Sequence, residues 1–219
     1  MSDGTFTQLL DLACGILLLA AVLVLWRREL SAIVRVFAAQ GAALAAIAAL
    51  LAVHEHRWDL VGVAAGIAVL RAGVLPHLMR RALTASGGTQ ETTPLVNVAA
   101  SLLTAAALTL LAYAVARPLT ELAPSPATRA LPVGLAVVLI GFFALVTRRH
   151  ALSQVVGFLL VDNGITAVAF LATSGVPLIV ELGVSFDVLF AVLVLQILTT
   201  RMRAAFGSTD LDDLRRLHD

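Results

Sequence analysis

Uninterrupted apolar runs recur along this chain, and two of them, Leu9 to Trp26 and Leu95 to Val115, approach the roughly 20 residues that a helix needs to cross a hydrocarbon core. None alternates strictly between apolar and polar side chains as a barrel strand does. Backbone polar groups at that depth must then be satisfied within helices. Of the 219 residues 60% are hydrophobic and 13% charged, and the mean hydropathy of +0.97 lies outside the range of soluble domains. The first run follows an acidic N-terminus and reaches Trp26 without a small-residue cleavage site, which predicts a retained span and not a removable signal.

Cutting the chain at its charged and Pro/Gly-rich breaks gives about seven spans, near 9–26, 31–53, 60–79, 95–115, 131–147, 152–173 and 177–198. The expected fold is therefore an all-α membrane protein, a bundle of about seven transmembrane helices. The pairs Arg27/Arg28, Arg80/Arg81, Arg148/Arg149 and Arg201/Arg203 all fall on one side of that arrangement. On the other side, Arg57, Arg117 and Arg129 are offset by Glu55, Asp59 and Glu121. Basic residues beside span ends stay in the cytoplasm, which predicts an outside N-terminus and a cytoplasmic C-terminus in the inner (cytoplasmic) cell membrane. The chain divides into N-terminal helices (1–116), a Pro- and Ala-rich loop (117–130), three C-terminal helices (131–205) and a polar cytoplasmic tail (206–219). Ser86 to Pro94, rich in Gly and Thr, reads as a second loop.

An ionisable group at membrane depth costs about 2.5 to 3.5 kcal/mol on insertion scales, so each one calls for a reason. Arg71 lies midway along the third span, Asp162 along the sixth and Asp187 along the seventh, depths that agree within about one turn. Burial and a nearby guanidinium act in opposite directions on a carboxyl group, so an Arg/Asp array can exchange protons near physiological pH. The plainer reading is that Arg71 neutralises one aspartate and locks two helices together. Two carboxylates sharing one arginine leave a charge over, however, and that surplus favours a relay through Asp162 and Asp187 with Arg71 as modulator. Glu181, near the outer end of the last span, is a candidate link to that face. Asn163 and Gln40 are candidate supporting groups, able to hydrogen-bond between helices. Asp11, Arg35 and His77 sit near span ends, where water or headgroups reach them.

Other chemistries are set aside by residue type. The single cysteine, Cys14, supplies neither a disulfide nor the thiolates of an iron–sulfur cluster. The net charge of +1, with arginines scattered between spans, argues against nucleic acid. The five histidines lie mostly at span ends on both sides of the membrane, which defeats a shared metal site. No Gly-rich phosphate loop or nucleophile elbow is present, so no catalytic residue is assigned.

The stretches Gly157-Phe-Leu-Leu-Val-Asp-Asn-Gly164, Pro177-Leu-Ile-Val-Glu-Leu-Gly183 and Asp187-Val-Leu-Phe-Ala-Val-Leu-Val194, with the tail Gly207-Ser-Thr-Asp-Leu-Asp-Asp-Leu214, resemble the hydrogenase-4 component E family. That resemblance implies that 131–205 is a module similar to the K subunit of respiratory complex I. It further implies a membrane-arm subunit of a group 4 nickel-iron hydrogenase or formate hydrogenlyase-like complex that takes part in proton translocation. The nickel-iron centre and iron–sulfur clusters would belong to peripheral partner subunits, and antiporter-like and anchoring subunits would share the bilayer. In this sequence Asp162 stands where the family has Glu before Asn, and Arg71 where a Lys is common. Asp is shorter by a methylene, and Arg is far harder to deprotonate, which makes Arg71 a fixed charge. Two alternatives stay open at this point: a subunit of a cation/proton antiporter without redox partners, and a structural scaffold of the membrane arm.

Overall fold

Backbone N–H and C=O groups in hydrocarbon have no water to bond, so an apolar chain satisfies them turn by turn along helices. The computed structural model describes residues 2–86, 96–122, 124–148 and 151–173. Its elements are α1 (Asp3–Trp26), α2 (Leu30–His54), α3 (Trp58–Ile67), a π-helical segment (Ala68–Val74), α4 (Leu75–Ser86), α5 (Val98–Leu122), α6 (Pro126–Thr147) and α7 (Ala151–Thr173). Because α3, the π segment and α4 form one rod, these make 6 helices long and apolar enough to cross a membrane. The chain is a multi-pass helical membrane protein. The expected seventh span (177–198) and the tail (206–219) lie outside the described residues, together with Glu181 and Asp187.

One expectation is corrected. The stretch 117–130 is not a loop: α5 continues through Pro118 to Leu122, and α6 already begins at Pro126. Arg117 Nε pairs with Glu121 at 2.9 Å one turn on, which supports the last turn of α5. The Ser125 side chain accepts from the Thr128 N–H while Thr128 Oγ1 accepts from the Ser125 N–H, and Pro126 takes the first helical position, where a missing donor costs nothing.

The third rod needs its π segment for a packing reason. Its buried positions after Ile67 include one at every fourth residue, Arg71, Leu75, Met79 and Leu83, with Pro76 buried beside Leu75. In a pure α-helix each such step drifts about 40°, or about 160° over four steps, which would carry the buried stripe to the far side. The wider turn absorbs much of that drift. Pro76 favours the same place: it has no N–H for the Ala72 carbonyl, while the Leu75 N–H reaches back to the Leu70 carbonyl.

Close backbone approach holds α6 to α7. A Cβ at Gly141 would come within 2.6 Å of the Val161 nitrogen, and one at Gly164 within 2.6 Å of the Val138 nitrogen. Gly134 and Gly157 make the same kind of contact one repeat along, against Val168 and Leu145. Such small-residue seams let membrane helices gain dispersion contact where no hydrophobic drive exists between them. At the opposite flank α5 is the least buried span and turns Leu103, Leu110 and Leu122 outward.

The ends of the bundle are pinned by polar and aromatic contacts. Arg148, at the end of α6, is buried and its Nη2 donates to the carbonyls of Val24 (2.8 Å), Leu25 (3.1 Å) and Arg27 (3.2 Å), satisfying the C-terminus of α1. Met79 and Leu83 of α4 line one small cavity with Leu30 and Ile33 of α2 and Val156 of α7. The arginines at 27, 28, 80, 81 and 148 thus gather at one end. At the other, Phe6 stacks on His54 with ring centroids 3.9 Å apart.

Candidate functional site

Arg71 is 1% exposed, and it is the largest fully buried side chain among the described residues. It projects from the π segment toward α7, where Asp162 and Thr166 share a face one turn apart and Asn163 lies beside them. Arg71 Nη1 pairs with Asp162 Oδ2 at 2.6 Å and donates to Asn163 Oδ1 at 2.6 Å. Its Nη2 donates to Thr166 Oγ1 at 3.0 Å. From Asn163 the chain of bonds runs on: Nδ2 donates to Gln40 Oε1 at 3.0 Å, and Gln40 Nε2 donates to the Leu17 carbonyl at 3.4 Å. One connected network therefore joins α7, the π segment, α2 and α1.

Leu17, Gln40, Arg71 and Asn163 each lie within about three residues of the midpoint of their spans, so the network is a layer across the middle of the bundle. A guanidinium at that depth is tolerated only where acceptors surround it, and this one has three side chains from a single helix. Every donor in the series points away from Arg71, so the amide dipoles align and reinforce one another. Amides pass on orientation, not protons, at ordinary pH. Asn163 and Gln40 consequently hold the arginine in place, and the acidic side chain of the layer is the Asp162 carboxylate. Its side chain is 13% exposed against 2% for Arg71, so the carboxylate is the member of the pair that reaches the edge of the layer.

The expected residues fall into three groups. Arg71, Asp162, Asn163 and Gln40 come together as described. Asp187 and Glu181 lie outside the described residues. Asp11, Arg35 and His77 are exposed and take no part in the layer. Thr166 was not singled out from sequence, although its place four residues after Asp162 puts it on the same helical face. Arg148 was read only as a flanking charge, whereas it caps α1 from inside the bundle. Among the described residues no three His, Cys, Asp or Glu side chains gather as a metal site would require.

Comparison with known proteins gives two findings. The chain is 34% identical over 88 residues to hydrogenase-4 component E of Escherichia coli K12, covering 40% of this chain and 41% of that protein, and matches the Shigella flexneri protein of that name equally. This is a distant, partial relation. No protein-family profile matches the chain. No solved structure matches it. Over its full length it is 54% identical to the Mycobacterium tuberculosis protein named uncharacterized protein Rv0085, covering 100% of both across 220 aligned residues. The chain belongs to the family of that mycobacterial protein.

Proposed function

We propose that this chain is a membrane subunit of a multisubunit hydrogenase-type, complex-I-like oxidoreductase, in which it contributes buried charges to proton translocation. The observation that carries this reading is the Arg71–Asp162 pair at mid-bilayer, 2.6 Å apart and backed by Asn163, Thr166 and Gln40. Intramembrane ionisable groups facing a bundle interior are costly and recur in ion pathways and proton relays. The partial relation to a protein named as a hydrogenase-4 component supports the redox setting. Asp162 acts as the titrating group and Arg71 as a permanent positive charge whose approach or withdrawal sets the affinity of that carboxylate for a proton. Asp187 and Glu181 extend the path from a seventh span, with the arginine-rich end in the cytoplasm. Electron transfer belongs to partner subunits carrying a nickel-iron centre and iron–sulfur clusters, since the sole cysteine of this chain, Cys14, cannot ligate one.

Purification from native membranes in mild detergent, with mass spectrometry of the co-purifying chains, tests the assignment. Recovery of a nickel-iron subunit and iron–sulfur proteins is the expected result. Recovery of antiporter-type subunits alone, or of this chain by itself, would refute the redox setting.

A further inference from the structure

The π segment does more than keep a stripe buried. At Arg71 its backbone lies directly on α2: a Cβ built on Gly41 would stand 2.7 Å from both the carbonyl carbon and oxygen of Arg71, and 3.0 Å from the nitrogen of Ala72. Every one of those neighbours is backbone, so no rotamer change can make room. Gly141, Gly157 and Gly164 make comparably close backbone approaches in the α6–α7 seam, but at Gly41 the backbone approached is that of Arg71 itself, and other glycines are open. Gly15 on α1 has nothing within 4 Å, and Gly73, within the π segment itself, meets only the Ala68 carbonyl at 3.9 Å. Gly41 also follows Gln40, whose amide holds Asn163 against the guanidinium. Two consecutive residues of α2 therefore fix Arg71 from both ends, its backbone through Gly41 and its head through Gln40.

We infer that Gly41 is a positioning residue for Arg71: the π turn carries the arginine's backbone outward onto α2, and the missing Cβ at 41 is what lets it seat there. Seating decides reach. The contacts to Asp162 and Asn163 are 2.6 Å long, and a shift of the Arg71 backbone about 1 Å off α2 takes them past the distance at which a hydrogen bond is lost. The functional weight of this device rests on the proposed role of the pair in proton coupling, but its geometry can be tested without that role.

The test is the Arg71–Asp162 coupling, obtained from a double-mutant cycle (Arg71→Met, Asp162→Leu) on the purified full chain in detergent, run with and without Gly41→Ala. The same cycle is run with Gly15→Ala, a site that is open. Gly41→Ala is expected to reduce the coupling, as an equilibrium constant, at least fivefold, while Gly15→Ala leaves it within a factor of two. A residue that merely packs would lower overall stability and leave the coupling unchanged, and that result overturns the inference. If Gly41→Ala does not accumulate, Val69, which is 61% exposed, is deleted from the same chain to narrow the π turn toward α-helix. Accumulation of the doubly altered chain supports the seat at Gly41. A double variant no more abundant than Gly41→Ala alone overturns it. Proton translocation is read in parallel in native membranes: loss of stability coupling without loss of translocation refutes the functional reading and leaves the positioning inference standing.

Discussion

Replacing Arg71 with Met keeps most of the side-chain volume and removes the charge that Asp162, Asn163 and Thr166 were arranged to meet. The arginine makes contacts of 2.6 Å to Asp162, 2.6 Å to Asn163 and 3.0 Å to Thr166. Breaking a buried pair from one side leaves an uncompensated charge and costs about 3–5 kcal/mol. Asp162→Leu should cost about as much, about 3–5 kcal/mol, because it strands a guanidinium that cannot shed its charge even though its bonds to Asn163 and Thr166 remain. Independent effects would add. Here the second change removes the group that the first one stranded, so the double variant should fall short of the sum by about 2 kcal/mol. The cycle isolates the Arg71–Asp162 term provided that neither single change creates a new interaction, a condition the apolar replacements Met and Leu are chosen to meet. Reversible unfolding of the purified chain in mixed micelles with increasing dodecyl sulfate, followed by far-UV circular dichroism, supplies the four free energies. Interhelical hydrogen bonds in membrane proteins average about 0.6 kcal/mol, so a coupling at or below that level would refute an ion pair as the centre of the layer.

Three further outcomes follow from the packing. Arg148→Gln removes the donor shared by the carbonyls of Val24, Leu25 and Arg27 and should lower stability by about 1.5–3 kcal/mol without changing the Arg71–Asp162 coupling, as the same micelle titration would show. Gly141→Leu forces a side chain onto the Val161 backbone, where even a Cβ would stand at 2.6 Å, and should cost about 1–3 kcal/mol or more and reduce accumulation in membranes, whereas Gly15→Ala should do neither. In a Cys14→Ser background, a cysteine replacing Arg28 should react with an impermeant maleimide only in inverted vesicles and one replacing His56 only in right-side-out cells; the reverse pattern would overturn the orientation.

How much of this was legible beforehand depends on which physical signal each feature leaves. Spans are written in hydropathy over some 20 residues, and six of the proposed ones coincide with helices, even where Pro76 and Arg71 interrupt the third. The depth of Arg71 and Asp162 could be read because helical rise is fixed, so position along a span is position across the bilayer. Which helix faces which was hidden. Lipid-facing and core-facing side chains are both apolar, so Ile67, Leu75 and Met79 look no different from the exposed Val69 until the neighbours are in place. The same blindness concealed the π turn and the seat at Gly41, which depend on backbone approach and leave no side-chain pattern. Thr166 was overlooked because threonines in apolar helices usually bond their own preceding turn, as Thr109 and Thr173 do here. Between α5 and α6, Pro118 and Pro126 read as breakers, yet the first is accommodated within the helix and the second starts one.

The central claim is that Asp162 exchanges protons under the control of Arg71, and proton translocation per electron transferred tests it most directly. It is measured in inverted native vesicles carrying the intact complex, with the chain unaltered and with Asp162→Asn, which keeps shape and hydrogen bonding but cannot titrate. Electron transfer that persists while translocation falls at least about tenfold is the predicted result, the scale on which loss of an essential proton-transfer group is felt. An unchanged ratio of protons to electrons would contradict the account and leave the pair as a lock between helices.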